Sequence, residues 1–143
     1  MKKLILLSCS LLTVFSLAAQ LREDHLWEDR LLLLFAPGEG HEALQRQLDL
    51  LTAQQAEVTD RDLKIYQIYT DGTQHPDGRY LPKAFSNKLY RKYDINSGDG
   101  LVVLLIGKDG TEKLRETAVV LPERIFRLID SMPMRQREMQ ERH

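Results

Sequence analysis

The chain places an acid and a base close together in one short segment. Glu39 and His41 lie two residues apart, between an apolar run that ends at Ala36 and a predicted helix. A carboxylate and an imidazole at that spacing could act as a general acid and base. The same segment, Gly38-Glu-Gly40-His-Glu-Ala43, matches the dinucleotide fingerprint G-x-G-x-x-A. That fingerprint needs an acid roughly 20 residues further on. The nearest candidate, Asp71, is 33 residues past Gly38, so a tight turn is the better interpretation.

Four basic residues form a second group that could bind an anionic ligand. Lys108, Lys113 and Arg115 lie on one predicted hairpin, and the spacing of the last two puts them on the same strand face. Arg135 follows the last predicted helix. Together these four candidate binding residues could hold a carboxylate, a sulfated glycan or an acidic protein surface. The alternative is that they protect a strand edge and form local pairs, such as Arg135 with Glu138.

The sequence lacks the residue patterns typical of metal binding and of serine nucleophiles. The four histidines, His25, His41, His75 and His143, do not follow a metal-binding spacing such as H-E-x-x-H, and no G-x-S-x-G nucleophile motif is present. We therefore predict neither a metal nor another cofactor. The 20 basic and 21 acidic residues are mixed and nearly cancel, which argues against nucleic acid as a partner.

The only cysteine, Cys9, falls in a segment with the features of a secretory leader. Met1-Lys2-Lys3 is a basic start, Leu4 to Leu17 is largely apolar, and Ala18-Ala19-Gln20 offers small residues for cleavage. We expect cleavage near Ala19, an extracytoplasmic location (periplasmic or secreted), and a mature chain without a thiol. Lipid attachment at Cys9 and an uncleaved anchor remain alternatives. No other apolar stretch approaches the roughly 20 residues that a membrane helix needs.

The pattern downstream predicts the order β-α-β-α-β-β-α. Arg30–Ala36 and Leu101–Ile106 are apolar without alternation, which indicates central strands. Leu63–Tyr69 and Thr111–Thr117 carry charged or polar residues and are expected at the edges. The last two strands form a hairpin through Gly107-Lys-Asp-Gly110.

Three helices complete the predicted domain. They extend from about His41 to Glu57, from Pro82 to about Tyr93, and from Pro122 to Pro133, with Leu44, Leu48 and Leu51 inward on the first. Thr70–Arg79 is rich in turn signals and is expected to be the least structured part. Trp27 is expected to anchor the core, and Met132 and Met134 to pack at a helix end.

A four-stranded mixed sheet with helices on both faces is the thioredoxin-like arrangement of the α/β class. On this scaffold a redox protein carries a cysteine between the first strand and the first helix, here Ala36–Glu42, and a proline before the third strand, here Ser97–Gly100. Neither residue is present. We therefore divide the chain into a signal peptide over 1–19, a thioredoxin-like domain over 20–134 and a charged tail over 135–143.

Two long stretches carry a family resemblance, Leu105–Arg115 (LIGKDGTEKLR) and Leu128–Glu138 (LIDSMPMRQRE), supported by Trp27–Arg30 and Asp60–Asp62. With them the chain resembles the bacterial branch of the DUDES-type domain family, a family of unknown function. Related domains occur in vertebrate extracellular proteins with sushi repeats or coiled coils. The resemblance implies a thioredoxin-like, peroxiredoxin-related fold in an exported setting, and it brings no assigned activity or catalytic residues.

These observations favour a redox-inactive, exported binding module for a protein or polysaccharide of the cell envelope or exterior. Two alternatives stay open. One is an enzyme without a thiol that uses Glu39 and His41. The other is an accessory protein that docks onto extracytoplasmic oxidoreductases.

Overall fold

A computed structural model describes residue 21 and residues 24–142. The expected signal peptide over 1–19, with Cys9, lies outside these residues. Within the described part, the strands form one six-stranded sheet in the order β4-β3-β2-β1-β5-β6. The strands are β1 (Arg30–Phe35), β2 (Leu63–Ile68), β3 (Gly72–Gln74), β4 (Tyr80–Pro82), β5 (Val102–Ile106) and β6 (Glu112–Glu116).

The two wholly apolar strands are central, as predicted. Every residue of β1 and β5 is buried, because each strand is covered by helices on both faces. β1 pairs in parallel with β2, Arg30 opposite Leu63, and antiparallel with β5. The charged strand β6 is an edge, and the predicted hairpin turn before it closes with the Gly110 N–H donating to the Gly107 carbonyl at 2.9 Å.

The prediction of four strands, with β2 at an edge, is wrong. The segment expected to be least structured folds into a small hairpin, β3 and β4, which pairs with the outer side of β2 at its end. His75-Pro-Asp-Gly78 makes its turn, with Gly78 at φ 91° and the Gly78 N–H donating to the His75 carbonyl at 2.9 Å. Turn residues between short β-rich segments here specify a hairpin, and β3 pairs with Gln67 and Ile68 at the end of β2.

Helices cover both faces of the sheet, as expected. One face packs against α1 (Glu42–Thr52), α2 (Gln55–Asp60) and α4 (Pro122–Asp130), and the other against α3 (Lys83–Lys92). The first predicted helix is therefore two, interrupted at Ala53 and Gln54. The buried residues of α1 are Leu44, Gln47 and Leu51, while Leu48 is only half-buried.

The predicted charged tail is part of the folded domain. Pro133–Glu141 forms a further helix, α5, and its Arg135 side chain is 3% exposed. Pro133 ends one helix and begins the next, since proline lacks an N–H and fits the first turn of a helix. No helix among the described residues is long and apolar enough to cross a membrane.

Candidate functional site

The junction between β1 and α1, which contains Glu39 and His41, is a tight turn. The His41 N–H donates to the Gly38 carbonyl at 3.2 Å, and the Glu39 carbonyl accepts from the Gln45 side chain at 2.6 Å. Among the described residues, no hydrogen bond or ion pair joins the Glu39 carboxylate to the His41 ring. The His41 Nδ1 is buried without a hydrogen-bond partner there. The structure thus does not assemble the predicted acid–base pair.

The four candidate cations do not form one patch. Lys108 and Arg135 are buried, whereas Lys113 and Arg115 are exposed or half-exposed on the hairpin. Lys113 pairs with Asp109 at 2.8 Å. Arg115 pairs with Glu112 at 2.8 Å and donates to the Tyr93 carbonyl at 2.8 Å. The register shift in β6 beside Ile106 breaks the simple alternation from which a common face for Lys113 and Arg115 was expected.

Lys108 and Arg135 belong to a cluster of ion pairs, here called the charge network, whose cations are buried and whose carboxylates are partly exposed. The Arg30 guanidinium binds both Glu138 carboxylate oxygens, at 3.1 and 3.2 Å, and Lys108 contacts the same carboxylate at 2.8 Å. Lys108 also binds Asp62 at 2.8 Å. The charge network consists of Arg30, Asp60, Arg61, Asp62, Lys108, Asp130, Arg135 and Glu138. Glu57 and Arg142 extend it through ion pairs with Arg61 and Asp60, respectively.

The other half of the charge network centres on Asp130 and Asp60. Arg61 holds Asp130 with two bonds, at 2.6 and 3.0 Å, and Arg135 reaches it at 3.1 Å. Arg135 also binds the Asp60 carboxylate and donates to the Asp60 carbonyl at 2.9 Å. All four stretches that carried the family resemblance supply members of this network. These network residues therefore hold together the starts of β1 and β2, the hairpin of β5 and β6, and the helix α5.

Three carboxylates of the network, Asp60, Asp130 and Glu138, are held in their charged form by the neighbouring cations. Hydrogen bonding from Arg135 lowers the pKa of Asp60. Burial acts to raise the pKa of Asp130 and of Glu138, but their bonds to cations outweigh it and both pKa values fall below the ordinary range. The network therefore has little charge left for an external ligand.

Trp27 is exposed, and the expectation that it anchors the core is wrong. Its side chain is 60% exposed, and its backbone lies in the left-handed region at φ 69°. The Trp27 N–H donates to the Lys108 carbonyl at 2.7 Å, which fixes this conformation against the hairpin. The indole borders a largely apolar cleft of 320 Å³, called here the Trp27 cleft. Its other lining residues are Arg30, Gly107, Lys108, Asp109, Lys113, Met132, Pro133 and Met134.

Sequence reasoning missed a second arrangement, in which two histidines converge on one tyrosine. The Tyr66 hydroxyl lies 2.7 Å from His25 Nε2 and 3.0 Å from His75 Nε2. Each histidine also contacts an aspartate through Nδ1: His25 with Asp29 at 2.6 Å, and His75 with Asp77 at 2.7 Å. The residues lie far apart in sequence, so no motif joined them. The available signal was an aspartate within four residues of each histidine.

The sheet order, the parallel β1–β2 pair and the helices on both faces define this chain as a thioredoxin-fold protein. It belongs to the family described as Domain of unknown function (DUF4174), whose model matches residues 21–138. This confirms the part of the resemblance that concerned a thioredoxin-like domain of unknown function. No curated protein sequence matches the chain.

Solved structures with the same fold include peroxiredoxins of Plasmodium. The reduced 2-Cys peroxiredoxin of Plasmodium vivax is 13% identical, with a TM-score of 0.59 over 85% of this chain and 84% of that one. Thioredoxin peroxidase I of Plasmodium yoelii is 16% identical, with a TM-score of 0.61 over 80% of this chain and 79% of that one. Plasmodium yoelii Prx1a, which forms an artifactual octamer when modified at its N-terminus, is 17% identical. Its TM-score is 0.60 over 86% of this chain and 81% of that one. At such identities the likeness shows the fold alone.

Proposed function

We propose that this chain is an extracytoplasmic, thiol-independent binding module that holds a peptide segment of a partner protein in the Trp27 cleft. The observation that carries the proposal is the exposed indole of Trp27, held at φ 69° beside an apolar cleft. A left-handed backbone costs a residue with a side chain roughly 1–2 kcal/mol. An exposed tryptophan gains little from burial to offset that cost, so a role in binding is the better account.

The chemistry of the cleft favours a peptide with an apolar anchor next to an acidic residue. Met132 and Met134 offer flexible, polarisable walls that adapt to apolar side chains, and tryptophan is enriched among binding hot spots. Lys113 stands at the rim, and its ammonium group pairs with half-exposed Asp109 at 2.8 Å. A carboxylate on the partner can exchange with Asp109 at little cost, because such surface pairs contribute under about 1 kcal/mol. Of the four predicted binding residues, Lys108 and Lys113 line this cleft.

Export and independence from thiols rest on the sequence. The leader pattern over 1–19 and the DUDES-type resemblance favour a location outside the cytoplasm. Cys9 is the sole cysteine, and the β1–α1 junction, where a thioredoxin-fold enzyme would place its sulfur, contains none. We therefore expect peroxide reduction and disulfide exchange to be absent, and the Cys9→Ser variant to behave like the native chain in both assays.

Trp27 is the only tryptophan, so its fluorescence reports on the cleft directly. A photo-reactive amino acid in place of Met134 should crosslink the exported chain to its partner, and the crosslinked peptide can then be synthesised and titrated. We expect the peptide to change the Trp27 emission. Trp27→Ala, measured by calorimetry, should weaken binding at least about 30-fold, the effect of a hot-spot residue. The matched control is Leu121→Ala, since Leu121 is 62% exposed and lies outside the cleft.

Three outcomes would overturn the proposed peptide site. Equal affinity of Trp27→Ala and the native chain would show that the indole is not an anchor. Equal loss in Leu121→Ala would show that the effect is not specific to the cleft. Capture of an oligosaccharide in place of a peptide would assign the cleft to a different class of ligand.

A second candidate function is the enzyme without a thiol, favoured by the buried His41 Nδ1 that lacks a hydrogen-bond partner among the described residues. Such a nitrogen can accept or deliver a proton once a substrate approaches. A turnover that is lost in His41→Ala and retained in Glu42→Ala, its exposed neighbour, would support it. Retention of that turnover in His41→Ala would exclude His41 from the chemistry.

A further inference from the structure

The outer edge of β2 is only partly paired. β3 pairs with Gln67 and Ile68 at the end of that strand, and β3 itself ends at Gln74. Within the described part of the chain, no strand pairs with the outer edge from Leu63 to Ile65. Such an edge presents its N–H and C=O groups as a template for pairing with another chain.

The hydrogen bonds between β1 and β2 fix which peptide groups face this edge. The Asp62 carbonyl accepts from the Arg30 N–H at 2.9 Å. The Ile68 carbonyl accepts from the first residue after β1 at 3.0 Å, so the even-numbered residues of β2 face β1. Because the direction alternates along a strand, the peptide groups of Leu63 and Ile65 point outward. Within residues 24–142, none of these two N–H and two C=O groups is hydrogen-bonded.

A groove of 470 Å³ runs beside these groups and makes them accessible. It is lined by Leu48 of α1 and Val58 of α2, and the turn between β3 and β4 contributes Pro76 and Gly78. Three residues of an extended chain, each about 3.3 Å long, match the unpaired stretch of β2. The groove therefore has room for a short strand beside β2.

The side chains around the groove favour a particular pattern in that strand. Residues opposite Leu63 and Ile65 point to the side of α1 and α2, where Leu48 and Ile65 are only half-buried and gain cover from apolar groups. The residue between them lies beside Lys64, which is 47% exposed and 3.9 Å from Asp29. An acidic residue at that place forms a cross-strand pair of opposite charge with Lys64.

We propose that the outer edge of β2 binds an extended segment of a partner protein as an additional strand, with the pattern apolar–acidic–apolar opposite Leu63–Ile65. In this mode of recognition, main-chain hydrogen bonds provide affinity and alternate side chains select the sequence. The groove shares no lining residue with the Trp27 cleft, so this site goes beyond the proposed function and does not depend on it.

The first test is selection of short random peptides, displayed on phage, on the purified chain. The enriched peptides should carry the apolar–acidic–apolar pattern, and one of them is synthesised as the probe. Ile65→Pro removes the outward N–H and places a ring at the edge, while the neighbouring bonds to β1 remain. We expect this variant to bind the probe at least about 10-fold more weakly, the effect of one main-chain hydrogen bond.

The charge preference is tested by reversing Lys64. Lys64→Glu should bind the probe at least about 10-fold more weakly and should prefer a probe in which lysine replaces the acidic residue. The matched control is Arg46→Glu, because Arg46 is exposed on α1 and does not line the groove. It should bind the probe like the native chain.

Two measurements need no variant and keep the test decisive if Ile65→Pro fails to fold. N-methylation along the probe should weaken binding at alternate residues, those whose N–H faces β2. Amide hydrogen exchange of the free chain should be faster at Ile65 than at Lys64 and Tyr66, and the probe should slow it at Ile65. Absence of any enriched peptide, uniform effects of N-methylation, or equal losses in Lys64→Glu and Arg46→Glu would overturn the proposal. So would a probe that changes the Trp27 emission and leaves Ile65 unprotected, or a dimer that pairs through this edge.

Discussion

The guanidinium of Arg30 and the carboxylate of Glu138, 108 residues apart, form a two-bond ion pair at 3.1 and 3.2 Å that joins the first strand to the last helix. Arg30 is 1% exposed, so its charge depends on this partner and on the Arg61 carbonyl at 2.9 Å. Lys108 shares the same carboxylate. One acid on α5 thus satisfies two buried cations from different parts of the sheet.

Removing the Glu138 carboxylate should lower the stability of the fold. Glu138→Ala leaves Arg30 and Lys108 without their shared carboxylate, and breaking a buried pair costs about 3–5 kcal/mol. We expect a loss of about 3 kcal/mol in the free energy of unfolding, since Glu138 is partly exposed. Urea unfolding followed by circular dichroism measures it. The control, exposed Glu141→Ala on the same helix, should change stability by under about 0.5 kcal/mol, and equal losses in the two variants would contradict the assignment.

Acid should weaken the fold through the charge network. The folded-state pKa values of Asp60, Asp130 and Glu138 are lowered, so the unfolded chain takes up protons first as the pH falls. Their stabilisation is complete above the unfolded pKa values, near pH 4. It is lost as the pH drops through the lowered folded values. Urea midpoints between pH 7 and pH 3 should show this fall, and Asp130→Asn should flatten it. An unchanged slope in that variant would show that Asp130 is not linked to folding.

Two substitutions of Trp27 should differ in stability although both abolish partner binding. Both Trp27→Ala and Trp27→Gly remove the indole, but only glycine adopts φ 69° without steric cost. We expect the glycine variant to be more stable than the alanine variant by about 1 kcal/mol, and both to lose the partner. Thermal unfolding of the two variants measures the difference. A more stable alanine variant would show that the left-handed backbone is not strained.

Gln47 should contribute more to the stability of the fold than a polar side chain usually does. Its side-chain amide, fully buried, donates to the Val120 carbonyl at 2.9 Å and accepts from the Val120 N–H at 2.7 Å. Gln47→Ala leaves both backbone groups buried and unpaired, at about 3 kcal/mol in total. Gln47→Met preserves the volume and should lose nearly as much, which separates hydrogen bonding from cavity formation. A methionine variant as stable as the native chain in urea would contradict this account.

The strand pattern of the core was predictable because it depends on local composition. Arg30–Phe35 and Val102–Ile106 are apolar on both faces, and such strands are stable only in the middle of a covered sheet. The charge of Glu112–Glu116 likewise indicated an edge. One error concerned the turn-rich segment directly after β2, which folds back onto that strand. β2 became an inner strand because a hairpin with a Pro-Asp-Gly turn pairs with its outer side.

By itself, the sequence determined the thioredoxin-like class, the two central strands, the hairpin at Gly107–Gly110 and the absence of cysteine after Cys9. Only the tertiary structure decided which polar residues meet. Lys108 and Arg135, two of the four candidate binding residues, are buried against Asp62, Glu138, Asp60 and Asp130. His25 and His75 were brought to Tyr66 in the same way. Hydrophobic periodicity repeats over a few residues and can be seen in one segment. The partner of a buried charge or imidazole depends on chain packing across tens of residues, which no local spacing encodes.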